Sequence, residues 1–422
     1  MSDNIITGLD IGSSSVRLVV GQVGSNVDGK SIKIIGAVEA SSSGINKGIV
    51  SSIEGATSSI STCLDKAERL VGVPINSAWV SINSPSIKCE RSRGVVAVSK
   101  SDGEITYDDV DRVLEAARAL SMPSNSQILH VIPVNFIVDN QEDIKDPVGM
   151  TGVRLEVEAL VIRGITTEIN NLTKAIYRTG LDIDDLVISP MAITSAVLSN
   201  KQKEIGAVVI NIGATTTSLA IYEEDNLLHC AILKIGSEDI TKDLAIGLRC
   251  PIEIAEKIKI EYGHALPQAF MKKDEVDISS LVDDDMQGQI KDINPISRRY
   301  VAEIVGARVE EIFEKVDREL KKVNRSGMLP AGAFLIGGGV KLPGIVEIAK
   351  EKLRLPVVIA NNKTVEAVIE KVNDPQFLTA LGLVLWGHSN QAVKKGMDFG
   401  VGGDAIKNFF SKVKNGIMSL KP

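Results

Sequence analysis

The stretch TGLDIGSSSVRLVVGQV, Thr7 to Val23, decides the fold. The apolar run from Ile5 to Asp10 predicts a strand, Gly12-Ser13-Ser14-Ser15 a tight turn, and Val16 to Val23 the returning strand. The same pattern recurs in INIGATTTSLAIY, Ile210 to Tyr222. Here Ala207 to Ile212 is the first strand, Gly213-Ala214-Thr215-Thr216-Thr217 the turn, and Ser218 to Glu223 the return. Asp10 and Asn211 hold corresponding positions. Recurrence at such long range predicts two related α/β domains rather than a solenoid.

The turns have a chemical purpose. Glycine and small hydroxyl residues let backbone N–H groups converge on one concave pocket, where they suit phosphate oxygens. A strand-end carboxylate such as Asp10 can hold Mg2+ through water. A third element, LIGGGVKLPG from Leu335 to Gly344, runs strand, three glycines, helix start. Gly337, Gly338 and Gly339, with Lys341 beside them, let a flat ring lie against the backbone. In IEIAEKIKIEYG, Glu256 and Lys259 fall three apart on one helix face.

Bulk properties narrow the choices. The chain has 422 residues, enough for two or more domains with real cores. It is 44% hydrophobic and 24% charged, with 4% aromatics and a net charge of −7. The acidic balance and scarce aromatics argue against nucleic-acid binding. The four cysteines, Cys63, Cys89, Cys230 and Cys250, form no C-x-x-C and read as free thiols in a reducing compartment. The four histidines form no metal-ligand pair. The N-terminus lacks a secretory n-region, and no apolar run reaches spanning length.

Between the repeats, residues 84–164 change character. Short β-rich pieces surround one amphipathic helix, Tyr107 to Leu120, which predicts a small inserted α+β unit. Residues 272–294, with Asp283-Asp284-Asp285, read as an acidic loop, and Ile296 to Val323 as a long helix with a solvated face. Past Trp386 the core pattern stops, and 388–404 reads as a flexible linker reaching about 20–25 Å. From Ala405 the tail is basic. Ile406, Phe409, Phe410, Val413, Ile417 and Leu420 recur on one side of a helix, with Lys407, Lys412, Lys414 and Lys421 supplying charge. That is the pattern of a helix lying on an anionic membrane surface. Each lysine adds on the order of 1 kcal/mol there.

The three glycine motifs, in this order, resemble the phosphate and adenosine motifs of the actin, heat-shock chaperone and sugar-kinase superfamily. The resemblance narrows to the FtsA family of bacterial cell-division proteins and covers nearly the whole chain. Its marks are TGLDIGSSSVRLVVGQV, the insertion at 84–164, AIGLRCPIEIAEKIKIEYG, VAEIVGARVEEIFEKV and the tail.

The resemblance implies an actin-like α/β fold: two domains around a nucleotide cleft, an inserted α+β subdomain and a C-terminal amphipathic helix. Its parts would be 1–83 with 165–200, the insert 84–164, 201–240 with 325–387, a partner-binding part 241–324, the linker 388–404, and the helix 405–422. It implies ATP and Mg2+ as ligands. The partners it implies are the FtsZ C-terminal peptide, the membrane, further copies of the chain through the actin-like core, and other division proteins through 84–164. The long helix would dock the FtsZ peptide, with Arg298, Arg299 and Arg308 suited to an acidic, apolar segment. The location implied is the cytoplasmic side of the membrane at the division site.

The chain departs from the family pattern at Asn211 for aspartate, Gly213-Ala214 for a double glycine, Ser189 before Pro190 for glutamate, and Ser15 for lysine. These changes imply ATP binding with slow or no turnover. Three other readings share the cleft. A small-molecule kinase needs a catalytic carboxylate that no residue supplies here. A PilM-like pilus scaffold is not expected to carry the tail, and an MreB-like filament protein places its extra subdomain elsewhere.

Overall fold

A computed structural model of the chain describes residues 5–24, 32–119, 123–281, 295–362, 365 and 369–394. The first half begins with the meander β1 (Ile5–Ile11), β2 (Ser15–Val23) and β3 (Ile32–Ser41). The short pair β4 (Ile45–Asn46) and β5 (Ile49–Val50), helix α1 (Ile53–Val71) and β6 (Ser77–Ile82) follow. The insert is β7 (Lys88–Ala97), α2 (Tyr107–Arg118), β8 (Ser126–Val138), β9 (Gln141–Ile144) and β10 (Arg154–Ile165). The chain returns through α3 (Thr166–Tyr177), β11 (Asp182–Ile188), α4 (Ser189–Val197) and α5 (Asn200–Ile205).

The second half opens with its own meander, β12 (Ala207–Ile212), β13 (Thr217–Glu223) and β14 (Asn226–Leu233). Then come α6 (Ser237–Leu248), α7 (Ile252–Tyr262), β15 (Glu275–Val276), β16 (Ile296–Ser297) and α8 (Arg298–Lys322). It closes with β17 (Gly332–Ile336), α9 (Ile345–Leu353), β18 (Val357–Ile359) and α10 (Leu378–Lys394).

The two main sheets are copies in topology. The first has the order β11-β6-β1-β2-β3 and the second β14-β13-β12-β17-β18. In each, the meander is antiparallel and the outer strands run parallel to its first strand. The repeat read from two turns therefore extends over five strands each.

Period-two alternation distributes the core. Along β12, Ala207 and Val209 enter the core shared with the first sheet, while Val208, Ile210 and Ile212 enter the second domain's own. Along β17, Phe334 and Ile336 take the first side, Ala333 and Leu335 the second. Helices α1 and α3 cover the outer face of the first sheet. Helices α4 and α10 fill the space between the sheets, α4 touching β12 and β13 as well as β6 and β11. Gly8 makes this possible, because a Cβ there would stand 2.2 Å from the Ala380 carbonyl oxygen of α10.

Three expected boundaries shift. Helix α10 runs to Lys394, so the segment 388–394 is helix rather than linker; its polar residues continue a helix already nucleated by buried leucines. Within 272–294, β15 pairs with β16, so its first part is a small ribbon and not wholly a loop. Helix α6 straddles the expected boundary at 240. Residues 282–294 and 395–422, including the proposed membrane helix, lie outside the described residues.

The insert is an antiparallel sheet, β7-β10-β8-β9, with α2 packed on β7 and β10. Buried Asp109 ties it together. Its carboxylate accepts from Ser99 N (3.1 Å), Thr106 N (2.9 Å), the Thr106 hydroxyl (2.7 Å), the Ser99 hydroxyl and Arg112. Burial pushes this carboxyl up, but the hydrogen bonds outweigh it and hold the pKa well below the usual carboxylate range. The stability it contributes is complete above the unfolded carboxylate value and is lost as pH falls from there toward the depressed folded one. Asp109→Asn will cost about 2–4 kcal/mol. Hydrogen exchange across Tyr107–Arg118 should accelerate accordingly at neutral pH, and the gap from the parent chain should shrink below about pH 4. An equal gap at every pH would refute the assignment.

Candidate functional site

Two glycine turns face each other at the ends of β1 and β12. Gly12 N donates to Ser15 O at 3.0 Å, and Gly213 N donates to Thr216 O at 2.9 Å. The same bond closes both turns, which is why the short Gly-plus-hydroxyl sequences suffice locally. The turns touch across the gap. The Thr215 hydroxyl donates to Ser13 Oγ at 2.7 Å, and Asn83 Nδ2 donates to Thr216 Oγ1 at 2.8 Å.

A cleft runs from this meeting point. Its narrow end, about 100 Å³, is lined by Asp10, Gly12, Ser13, Ser14, Asn211, Gly213, Ala214, Thr215, Thr216, Gly337 and Gly338. Its wide end, about 680 Å³, is lined by Glu256, Lys259, Gly338, Gly339 and Lys341, with the apolar Ile252, Leu342 and Pro343. Ser14, Ala214, Ser237, Gly338 and Gln376 line both ends.

The third glycine segment is shaped by close approach. Gly337 has φ +92, and a Cβ on it would lie 2.3 Å from Asn211 Oδ1. From it the chain makes one 3-10 turn, Gly338–Lys341, along the cleft wall. Lys341 pairs with Asp374 at 2.6 Å. Opposite, Glu256 and Lys259 pair at 2.7 Å, and Lys259 Nζ also donates to Thr241 Oγ1 at 2.8 Å.

Asp10 accepts from the Ser81 hydroxyl at 2.6 Å. Burial pushes its carboxyl above the ordinary range, and Ser81 and Arg17 pull it only part of the way back. A nearby cation would lower it. Arg17 sits opposite Asp10 in the β1–β2 register and bonds Glu39 at 2.8 Å and Gln376. Among the described residues, Arg17 Nε and Asn83 Oδ1 are buried without a hydrogen-bond partner. A buried donor without an acceptor, beside converging turn amides, suits an anionic ligand.

Ser15 does not line the cleft. Its carbonyl closes the turn and its hydroxyl receives Arg17 Nη2 at 3.3 Å. The turn bond directs Ser15 into the sheet instead. Sequence reasoning missed Arg17, Ser81, Asn83, Ser237, Thr241 and Gln376. Only Arg17 carried a usable signal, from hairpin register against Asp10.

The arginines of α8 stand apart from the cleft. Arg298 stacks on Phe270 with its guanidinium carbon 4.4 Å from the ring centre. Arg299 pairs with Glu303 at 3.2 Å. Arg308 forks onto Asp243 at 2.6 and 2.9 Å and also bonds Glu311. Exposed Ile246 on α6 and Tyr300 on α8 lie nearby, the tyrosine hydroxyl reaching Gly247 O at 3.4 Å.

Comparison with known proteins agrees with this architecture. Residues 85–163 match the family described as the SHS2 domain inserted in FTSA, and residues 208–382 match Cell division protein FtsA. The chain is 34% identical to the Cell division protein FtsA of Pseudomonas aeruginosa over 96% of its own length and 94% of that protein's. Among solved structures it is similar to the PilM-PilN type IV pilus biogenesis complex, with a TM-score of 0.64 at 17% identity, covering 91% of this chain and 98% of that one. MreB5 of Spiroplasma citri bound to ADP superimposes with a TM-score of 0.54 at 12% identity, covering 94% and 100%. The fold is actin-like with an SHS2 insertion, and the chain belongs to the FtsA family of cell division proteins.

Proposed function

We propose that this cell-division protein is an ATP-dependent tether. Its cleft binds ATP with Mg2+, its α6–α8 surface holds the FtsZ C-terminal peptide, and its tail holds the assembly to the cytoplasmic membrane face at the division site. The observation that carries the ATP reading is the pair of facing turns beside the buried, unpartnered Arg17 Nε. MreB5, of similar fold, has been solved with ADP.

In this reading the amides of residues 13–14 and 214–216 and the Arg17 guanidinium take the phosphates. Asp10 would hold Mg2+, and that ion would supply charge neutralisation. Glu256 and Lys259 flank the ribose, and Gly337–Gly339 leave room for the base. Asn211 is neutral, so no second carboxylate activates water, and turnover is slow.

The FtsZ peptide would lie on the exposed apolar surface of Ile246 and Tyr300, with Arg298 and Arg299 meeting its acidic residues. Arg308 would join by sharing its bonds to Asp243 and Glu311. Self-association would run through the actin-like core, and contacts to other division proteins through the SHS2 insert.

Two experiments test these parts separately. Gly337→Ala places a Cβ against Asn211, so fluorescent ATP should bind about tenfold or more weakly while the insert keeps its exchange protection. Unchanged affinity would remove the glycine segment from the site. Flotation with anionic vesicles, ATP and a labelled FtsZ C-terminal peptide compares the full chain with one ending at Asp404. The full chain should float with the peptide and the shortened chain should stay behind. If neither floats, the tether reading fails and a pilus-type scaffold without a membrane tail takes its place.

A further inference from the structure

Strand β14 of the second core sheet packs against β7 and β8 of the insert. Two of the four cysteines meet at this seam. Cys89 lies near the start of β7, and Cys230 lies in the middle of β14, next to His229. Cys89 packs against the same buried cluster that contains Cys230, and the Cys230 thiol and the His229 imidazole are the neighbours that lower its pKa. On its other side His229 Nε2 is 2.9 Å from Glu319 Oε2 on α8, and Glu319 also pairs with Lys322 at 2.8 Å. Cys89 is partly exposed, whereas Cys230 is buried. The cluster is thus a thiol open to solvent, a second thiol behind it, and an imidazole held by a carboxylate. The cleft and the partner surface use none of these groups.

The protonation states are unequal. The Cys230 hydrogen bond, helped by His229, brings the Cys89 pKa down to about 6 against the opposing effect of burial. Burial would lower the His229 pKa, but Cys89 and Glu319 raise it to about 9. The Cys230 pKa is raised, first by its bond to Cys89 and then by burial. At neutral pH this describes a Cys89 thiolate, an imidazolium and a Cys230 thiol, which is the division of labour between an attacking and a resolving cysteine.

We propose that Cys89 and Cys230 form a reversible disulfide under hydroperoxide, fastening the insert to the second core domain. The Cys89 thiolate attacks one peroxide oxygen; an S–O bond forms as the O–O bond breaks. The departing hydroxide takes the His229 proton and leaves as water. The sulfur has lost two electrons and is a sulfenic acid. Cys230 then attacks the Cys89 sulfur and gives up its proton. The S–S bond forms as the S–O bond breaks, and the released hydroxide recovers the proton as a second water. In sum, two thiols and one hydrogen peroxide give one disulfide and two waters. A dithiol reverses the linkage by exchange.

The consequence is mechanical. The two cysteines belong to different sheets, so their bond closes a loop of more than a hundred residues and fixes the seam between insert and core.

The test treats the reduced full-length protein with hydrogen peroxide, alkylates what remains free, and maps the peptides by mass. The expected product is a peptide pair linked through Cys89 and Cys230, with the mass of two hydrogens lost and restored by dithiothreitol. The double variant C63S/C250S should form it normally. Cys230→Ser should stop at a sulfenic acid on Cys89, trapped by dimedone. His229→Gln should slow linkage about tenfold or more, because the thiolate and its proton donor are both weakened. Recovery of both cysteines alkylated after peroxide, or conversion of Cys89 to sulfinic acid with Cys230 still free, would overturn the proposal.

Discussion

The single N–H to carbonyl bond that closes each glycine turn sets the geometry of the whole cleft. Gly12 to Ser15 and Gly213 to Thr216 are equivalent bonds in equivalent places. Each reverses the chain within three residues, turns the amides of the tip toward the gap, and fixes the register of a five-stranded sheet behind it. The turns would not meet without the sheets, and the sheets are held at the right distance by α4 and α10 between them. Hydroxyl contacts from Ser13 to Thr215 and from Asn83 to Thr216 then join the two copies. Side chains that do chemistry sit on strand ends or turn tips, while the helices supply position.

Much of this was legible in the sequence because strands buried on both faces write themselves as apolar runs with a period of two. β12 is the clearest case: its odd residues serve one core and its even residues the other. The glycine triplet was legible for a different reason, since only glycine fits against Asn211 at Gly337. What escaped had weaker local signals. β3 contains Gly36 and two alanines, and β14 reads as a short apolar run that a buried helix would also give. The first half of α10, Leu378 to Trp386, is apolar nearly all round because it lies between a sheet and α4, so it lacks an amphipathic stripe.

The site residues divide along the same line. Asp10, the other turn residues and the Glu256–Lys259 pair were legible as candidates that line the cleft, because each carries its pattern within a few positions. Gln376 and Asn83 arrive from remote segments and owe their place to tertiary packing alone. The proposed Cys89–Cys230 pairing is invisible to spacing rules for the same reason: the two strands that carry the thiols come together only because β14 lies against the insert. Ser15 shows the converse. Its residue type suited phosphate, yet its carbonyl closes the turn and its hydroxyl receives Arg17, so neither is free for the cleft.

Helix α10 has one more consequence, for the order in which the chain matures. Its residues come from the far end of the described chain, yet they cover β1 and β2, which leave the ribosome well before them. Gly8 of β1 waits for the Ala380 carbonyl. At roughly 5–20 residues per second, the interval between completing α4 and supplying α10 is on the order of ten seconds or more. Throughout it the part of the first sheet's inner face over β1 and β2 lacks the helix that covers it. The N-terminal domain is therefore finished last, and a nascent chain of this protein is a natural client for chaperones that shield exposed sheet surface.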